Sequence, residues 1–355
     1  MREQVALPEF ERVPQLTAQQ AVALWKDNRS RLADDHLSER VAVTGRPAHM
    51  KIELTNFCNL ACPMCPHDQM EREVGYMKPE LFRRIIDMSA PQLEFAYLHH
   101  LGESLFHGKI GELIQYGRGK GVAMGLSTNA TYLDHRKARV LLDSGLDFLV
   151  ISMDGASPDT YARIRVGGDF ATTLDNVRAF FELKRQIPNH LTVVVQMIVT
   201  DANRQEVAPF AKLWAQTGAQ VMIKEARDWA GQVKLLKLGK HTPPPIEHSP
   251  CKMLWTELTV LWDGTVVPCA NVYEKQNVLG DLSRQTLDEV WNGEPMKAIR
   301  RAHVEDEVGG VEVCGTCPRH RFDHPNFVAF DQLTQRMRNY VRTDGNDLTP
   351  RPGLS

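Results

Sequence analysis

The stretch Thr55-Asn-Phe-Cys58-Asn-Leu-Ala-Cys62-Pro-Met-Cys65-Pro66 places three cysteines in a C-x3-C-x2-C pattern directly after an apolar segment. Four-iron iron–sulfur clusters are normally held by four thiolates. A tight loop that offers three thiolates therefore leaves one iron free to bind another molecule. We predict that Cys58, Cys62 and Cys65 are metal ligands. The plainer alternatives are a zinc loop or three unrelated buried thiols.

This spacing resembles that of the radical S-adenosylmethionine (SAM) superfamily. In that family the open iron chelates SAM, and an electron from the 4Fe-4S cluster cleaves SAM to a 5'-deoxyadenosyl radical, which abstracts hydrogen from the substrate. The resemblance implies both cofactors, oxygen sensitivity and an external reductant, flavodoxin or ferredoxin. It also implies an α/β fold, a partial (β/α)6 TIM-like barrel.

Composition and charge narrow the class of protein. The 355 residues carry a net charge of −2 and no basic block, so no nucleic-acid partner is expected. No apolar stretch approaches the roughly 18 residues that span a membrane, and the N-terminus lacks a signal peptide. We expect a cytoplasmic protein with no membrane partner, whose seven cysteines bind metal instead of forming disulfides.

Short apolar runs alternate with helical patterns from residue 49 onward, which predicts strand–helix units of a parallel sheet. The predicted strands lie near Met50–Thr55, Glu94–His99, Val122–Ser127, Phe148–Met153, Thr192–Val199 and Val221–Glu225. The predicted helices cover Pro79–Met88, Lys109–Arg118, Arg136–Ser144, Thr172–Lys184 and Arg204–Thr217. Catalytic groups then belong at the carboxyl ends of the strands.

Four regions are expected. Residues 1–45 form an N-terminal helical extension, with a helix at Ala18–Leu32 that caps the barrel or packs on it, and residues 46–235 form the barrel. The proline-rich stretch His241–Glu247 reads as a linker into an auxiliary region at 236–328. Residues 329–355 form a C-terminal helix, near Phe330–Arg342, and a tail.

One motif after the second predicted strand points to SAM binding. His99-His100-Leu101-Gly102-Glu103 resembles the family's Gly-Gly-Glu motif, with leucine at the first glycine. The resemblance implies that Gly102 and Glu103 receive the SAM amino group, and a carboxylate suits an ammonium donor. The alternative is a solvated glutamate at a turn.

Further SAM contacts are implied by the same resemblance. Ser152 and Asp154 end the fourth strand at alternate positions, so they are predicted to share an inward face and to contact the ribose. Asn129 follows the third strand and joins them. Arg165, preferred over Arg163, would bind the SAM carboxylate through two parallel hydrogen bonds. The adenine would lie beside Met64.

A second cysteine set, Cys251, Cys269, Cys314 and Cys317, offers four ligands. Around it a β-hairpin is predicted from Leu258–Trp262, an Asp263-Gly264 turn and Thr265–Pro268, and a helix contains Leu287–Trp291. This arrangement resembles the C-terminal SPASM/twitch iron–sulfur domain of radical SAM proteins, with one auxiliary 4Fe-4S cluster. A four-cysteine zinc site is the alternative.

Two 4Fe-4S clusters favour an oxidoreductase, because a substrate radical can pass its electron to the auxiliary cluster. We predict a dehydrogenase that oxidises a secondary alcohol of a carbohydrate or aminocyclitol in natural-product biosynthesis, as in the family members of this size. Alternatives are a radical decarboxylase, dehydratase or epimerase, a peptide-modifying SPASM enzyme, and an iron–sulfur electron carrier. All seven cysteines are used as ligands, which disfavours an epimerase with a free thiol.

The base or substrate anchor is sought at the strand ends. The candidates are Glu53, His99, His100, Gln196, Lys224 and Glu225, and side-chain parity decides which of them face inward. The preferred catalytic pair is Glu225 and His100.

Overall fold

The computed structural model describes residues 18–215, 217, 219–233 and 250–317. Within these residues the strands are β1 His49–Ile52, β2 Phe95–Tyr97, β3 Ala123–Thr128, β4 Phe148–Ser152, β5 Thr192–Val199, β6 Gln220–Glu225, β7 Glu257–Val260, β8 Thr265–Val267 and β9 Gly280–Asp281. They form one sheet in the order β6-β5-β4-β3-β2-β1-β7-β8-β9.

The helices of the described residues lie mostly between the strands. They are α1 Ala18–Leu37, α2 Pro79–Ser89, α3 Ile110–Gly119, α4 His135–Asp143, α5 Pro158–Ile164, α6 Phe170–Gln186, α7 Val207–Ala215, α8 Met253–Thr256, α9 Leu287–Trp291 and α10 Glu294–Val304. In the part of the chain that the structure describes, no helix has both the length and the apolar character to span a membrane.

Strands β1 to β6 are parallel neighbours in chain order, as successive strand–helix units produce. The outer face packs against the helices in one large core, to which α2 contributes Phe82, Ile85 and Ile86. A smaller apolar cluster, which includes Phe148 and Val194, fills part of the inner face. The predicted partial barrel is confirmed.

The six predicted barrel strands and their helices are all present, with four main differences from the prediction. Strand β1 ends earlier than predicted, at Ile52, and α1 continues to Leu37. The segment predicted as a helix from Arg204 begins with a 3-10 turn, and α7 starts at Val207. Helix α5 was not predicted, although Ser157 and Pro158 form a usual helix start, with a side-chain cap and proline at the first position.

The predicted hairpin is present, and it extends the barrel sheet. Strand β7 pairs in parallel with β1 through Met50 and Leu258, and β8 returns antiparallel to it. The residues that carry the second cysteine set are thus built onto the first barrel strand. The predicted linker at His241–Glu247 and helix at Phe330–Arg342 lie outside the described residues.

Helix α1 packs on the barrel, as predicted for the N-terminal piece. Arg29 pairs with Glu94, just before β2, through two hydrogen bonds. The fully buried Asp35 accepts hydrogen bonds from the backbone N–H groups of Thr44 and Gly45 at 2.7 and 2.9 Å. These contacts fix the chain that leads into β1.

A buried ion pair joins the loop after the cysteine motif to β1 and the hairpin. Arg72 donates to both carboxylate oxygens of Glu53, at 2.9 and 2.8 Å. The Nε of Arg72 donates to the Tyr273 carbonyl at 2.7 Å. The backbone N–H of Trp262 donates to the Glu53 carboxylate at 3.2 Å. Glu53, a candidate base in the sequence, is therefore engaged in a structural contact.

Replacing Arg72 is expected to destabilise the protein strongly. Arg72→Ala leaves the Glu53 carboxylate buried and unpaired, which typically costs about 3–5 kcal/mol. Arg139→Ala is the matched control, because it breaks an exposed pair with Asp143 that is worth about 0.3–0.5 kcal/mol. Urea unfolding of both variants, followed by tryptophan fluorescence, measures the difference. Equal losses of unfolding free energy would contradict a central role for the buried pair.

Candidate functional site

A cavity of about 470 Å³ lies at the inner face of the barrel and reaches the cysteine loop, a volume typical of ligand sites. Side chains that alternate along the strands line it, as a period of two requires. The strand residues in its wall include Lys51, Tyr97, Ser127, Phe148, Val150, Ser152, Gln196, Ile198, Met222, Lys224 and Glu257.

The three cysteines of the loop after β1 meet at one end of this cavity. Cys58, Cys62 and Cys65 all line it and interact with one another electrostatically. Burial raises the pKa of Cys58 to about 11 and that of Cys65 to about 12. A bound metal must therefore displace their protons. Three grouped thiols that face an open cavity fit a 4Fe-4S cluster with one free iron.

The loop after β2 carries Gly102 and Glu103 into the cavity wall. Gly102 has a φ of +78°, and any Cβ there would collide with the Thr55 carbonyl, so glycine is required. Glu103 is buried and accepts from the N–H groups of Asn129 at 2.6 Å and Leu105 at 3.1 Å, and from a threonine hydroxyl at 2.8 Å. A carboxylate has about four acceptor positions, so one stays open for an ammonium donor.

Asn129 and Met64 also lie in the cavity wall, as their predicted roles require. Asn129 Nδ2 contacts Cys58 Sγ at 3.9 Å and the Asn59 side chain at 3.0 Å. The Met64 carbonyl accepts from the indole N–H of Trp229 at 3.1 Å, and Met64 belongs to the apolar cluster that includes the three cysteines. Trp229 is a lining residue that no sequence pattern singled out.

Ser152 and Asp154 do not share one face, contrary to the sequence prediction. Strand β4 ends at Ser152, and Asp154 adopts a left-handed φ of +46°, so the alternation stops between them. Ser152 lines the cavity, whereas the fully buried Asp154 is absent from its wall. Asp154 instead accepts the Ile198 N–H at 2.6 Å and pairs with Arg165, so we infer that it positions Arg165.

Arg165 lies beside the cysteine loop. Its Nη2 is 2.6 Å from Asp154 Oδ2, and its Nη1 contacts Cys62 Sγ at 3.9 Å. The Nε atom is buried and has no hydrogen-bond partner among the described residues, which leaves a donor for a ligand in the cavity. The exposed Arg163 contacts Thr160, so the preference for Arg165 agrees with the geometry.

The other three cysteines of the second set lie within electrostatic range of Cys314. Cys314 interacts electrostatically with Cys269, Cys251 and Cys317, and burial raises its pKa. Cys317 Sγ accepts from Asn271 Nδ2 at 3.5 Å. Because Asn271 also lines the cavity, the cavity extends from the first cysteine group to a residue that contacts the second.

The preferred catalytic pair is divided by the structure. His100 lines the cavity, and its Nε2 lies 3.0 Å from the Val272 carbonyl. Burial lowers its pKa to about 4, so the ring is neutral at pH 7. Glu225 lies at the cavity edge, but its carboxylate pairs with exposed Arg204 outside the barrel. This placement gives no support to Glu225 as a base.

Three other candidates, His99, Gln196 and Lys224, line the cavity. His99 lines the cavity, and its buried Nδ1 has no hydrogen-bond partner among the described residues. Lys224 lies two residues after Met222 on β6, so both side chains are on the inner face of the strand. The neighbouring Glu225 carboxylate is directed to the other side, toward Arg204. Lys51 and Glu257, which the sequence analysis did not select, form an ion pair of 2.8 Å in the wall.

Comparisons with known proteins agree with this geometry. Residues 52–213 match the Radical SAM superfamily, and residues 251–318 match SPASM, an iron-sulfur cluster-binding domain. The chain is 27% identical over 179 residues to the tungsten-containing aldehyde ferredoxin oxidoreductase cofactor-modifying protein of Pyrococcus furiosus, across 49% of this chain and 50% of that protein. It thus spans about half the length of that relative.

A longer match is to PqqA peptide cyclase of Streptomyces rochei, with 25% identity over 318 residues, 79% of this chain and 84% of that protein. Two solved structures share the fold. SuiB of Streptococcus suis bound to its precursor peptide SuiA gives a TM-score of 0.62 at 13% identity, over 77% of this chain and 70% of that chain. BtrN in complex with AdoMet and 2-DOIA gives 0.52 at 15%, over 76% and 91%.

The resemblance to radical SAM proteins with a SPASM domain is thereby confirmed, while the predicted aminocyclitol specificity is not. The cofactors that these domains imply are SAM and a 4Fe-4S cluster for the first domain and a further iron–sulfur cluster for the second. The three cavity-lining thiols of the loop after β1 suit the first cluster, and the second set offers four thiols for the other. The chain therefore combines a radical SAM domain at residues 52–213 with a SPASM domain at residues 251–318.

Proposed function

We propose that this protein is a radical SAM enzyme that modifies a peptide substrate. The observation that carries the proposal is the match to PqqA peptide cyclase, which extends over 79% of this chain and 84% of that protein. The fold likeness to SuiB bound to a precursor peptide agrees with it. The peptide-modifying alternative thus replaces sugar oxidation as the leading hypothesis.

The cavity suits a reaction between two cluster sites. When bound, SAM and its cluster supply a hydrogen-abstracting radical, and the auxiliary cluster offers an electron acceptor. Cys58, Cys62 and Cys65 would hold the first cluster, with Glu103 and Arg165 on the amino and carboxylate groups of SAM. Asn271 contacts Cys317 and lines the same cavity. A side chain placed in the cavity therefore lies between both sites, which favours reaction by proximity.

His100 is the proposed proton acceptor. Its neutral ring donates from Nε2 to the Val272 carbonyl, so Nδ1 is the atom left to accept a proton. The carbonyl contact also fixes the ring orientation. Asp154 holds Arg165 in place, and Trp229 holds the Met64 backbone beside the cysteine loop. Asp154, Arg165, Trp229 and Met64 orient the ligands and do not react themselves.

Isotope transfer separates the peptide and carbohydrate hypotheses. The holoenzyme is incubated with SAM and dithionite, together with a pool of synthetic peptides built from deuterated amino acids or a pool of deuterated sugars and aminocyclitols. We expect deuterium in 5'-deoxyadenosine from the peptide pool, measured by mass spectrometry. Deuterium from the carbohydrate pool alone would overturn the proposal. Iron-replete protein that cleaves no SAM would support an electron carrier.

The two cysteine groups are expected to have separate roles. Replacing Cys58, Cys62 and Cys65 by alanine should abolish SAM cleavage, because no cluster can then present an open iron. Replacing Cys314 and Cys317 should leave part of the cleavage but stop product formation. Iron content and 5'-deoxyadenosine yield are measured in both. Loss of cleavage in the second variant alone would contradict this division of labour.

Arg165 and Arg163 provide a matched pair for the SAM site. Arg165→Lys keeps the charge beside Asp154 but loses the planar fork, so we expect SAM affinity to fall about tenfold, equivalent to about 1.4 kcal/mol. Arg163→Lys should bind SAM like the parent, because that side chain is exposed and contacts Thr160. Anaerobic calorimetry measures both. A weaker affinity in the Arg163 variant alone would reverse the assignment.

A further inference from the structure

The inner wall formed by β4, β5 and β6 contains a row of polar side chains that have no partner among the described residues. Ser152, Gln196 and Lys224 all line the cavity. No hydrogen bond or ion pair of their side chains is present within the described residues. By contrast, two other cations of the wall are neutralised: Lys51 pairs with Glu257, and Arg165 pairs with Asp154.

The strand register places these three residues side by side. Ser152 is the direct neighbour of Gln196 on the adjacent strand. Lys224 is paired with Ile198, two residues beyond Gln196. Adjacent strands lie about 4.8 Å apart, and residues two apart share a face. The long Lys224 side chain can therefore bring its ammonium group to the same ligand atom as the Gln196 amide.

An unpaired ammonium group in a cavity wall is unfavourable until an anion reaches it. Burial lowers the pKa of Lys224 to about 8, with a further contribution from the positive charge of Arg227. Arg227 lies in the same wall and has contacts of its own. The side chain of Lys224 is still mostly protonated at pH 7. Without an anion, the ammonium group depends on water for its solvation, and a ligand anion would replace that water.

The chemistry of the row favours a carboxylate. An ammonium group, an amide and a hydroxyl together offer several donors to one planar anion, and charge-assisted hydrogen bonds to carboxylate are the strong class. The row lacks a backbone N–H cradle or helix N-terminus of the kind that commonly binds phosphate, since all three side chains project from strands. A carboxylate also occurs on every peptide that has an acidic side chain or a free C-terminus.

We propose that Lys224, with Gln196 beside it, binds a carboxylate of the substrate on the β5–β6 side of the cavity. The identity of that carboxylate as part of a peptide rests on the proposed function. The anion site itself does not. This contact holds the substrate at the wall that contains Ser152, in the cavity that the cysteine loop also lines.

Protection of Lys224 from chemical labelling tests the anion site without turnover. Holoenzyme with SAM is treated with an amine-acylating reagent, and modification is quantified by mass spectrometry, with exposed Lys212 as the internal reference. Three probes compete: N-acetylglutamate α-amide, N-acetylglutamine and neutral N-acetylglutamine amide. We expect protection of Lys224 by one or both carboxylates, and none by the neutral probe. The two carboxylates distinguish a side-chain anchor from a C-terminal one.

Three outcomes of the labelling experiment would overturn the proposal. They are equal protection by the neutral amide, protection by inorganic phosphate alone, and no protection by either carboxylate. Because the readout does not require a product, failure here leaves the peptide hypothesis to the isotope experiment. If carboxylates protect Lys224 but deuterium is transferred only from the carbohydrate pool, the anion site is supported and the peptide hypothesis is rejected.

Steady-state kinetics with any peptide that transfers deuterium provide a second test of carboxylate binding by Lys224. Lys224→Gln should raise KM for the carboxylate form about tenfold, the equivalent of one charge-assisted hydrogen bond, and leave KM for its amide form unchanged. Lys212→Gln is the matched control on the surface. Iron content and circular dichroism confirm that both variants fold. An equal rise in KM for the acid and amide forms would show a role in packing and overturn carboxylate binding.

Discussion

The ion pair between Asp154 and Arg165 is the contact on which the arrangement of the cavity depends. Asp154 leaves β4 in a left-handed conformation and accepts from Ile198 N–H on β5, while Asn203 donates to its carbonyl. Arg165 ends α5 and reaches Cys62 of the cysteine loop. One pair of side chains thus fixes two strand ends, a helix end and the cysteine loop relative to one another.

Burying such an ion pair costs desolvation free energy, and this cost explains why both side chains need further hydrogen bonds. Desolvation of two charges is offset only when geometry and further hydrogen bonds satisfy both groups. Asp154 obtains its second bond from Ile198 N–H, whereas Arg165 keeps a buried Nε without a partner in the described residues. Arg165 is therefore fixed in position while its Nε–H donor is still available to a ligand. A carboxylate ligand that reached Nε would complete it, which is what a preorganised binding site requires.

The sequence predicts the framework well because periodicity and turn residues act locally. Strands β1 to β6 follow from apolar runs, and the cysteine spacings select the residues that we propose as ligands of the two clusters. The orientation of the Asp154 side chain was missed, because the left-handed conformation of Asp154 ends the alternation of the strand. The sequence Ser-Met-Asp-Gly gives no signal for that conformation. The parallel pairing of β7 with β1 was missed because residues far apart in the chain form it. Contacts of that kind leave no local pattern.

The inner wall was the least predictable part, and β6 shows the reason. It is an edge strand whose residues alternate only weakly in exposure, and its apolar residues Val221, Met222 and Ile223 are consecutive. Sequence parity therefore could not decide between Lys224 and Glu225. Pairing with β5 decides it: Gln196 and Ile198 face the cavity, so Met222 and Lys224 do too. Glu225 is then turned outward to Arg204. The same register that closes this side of the barrel thus gives the cavity a positive charge and not a negative one, which favours an acidic substrate group over a general base at this strand.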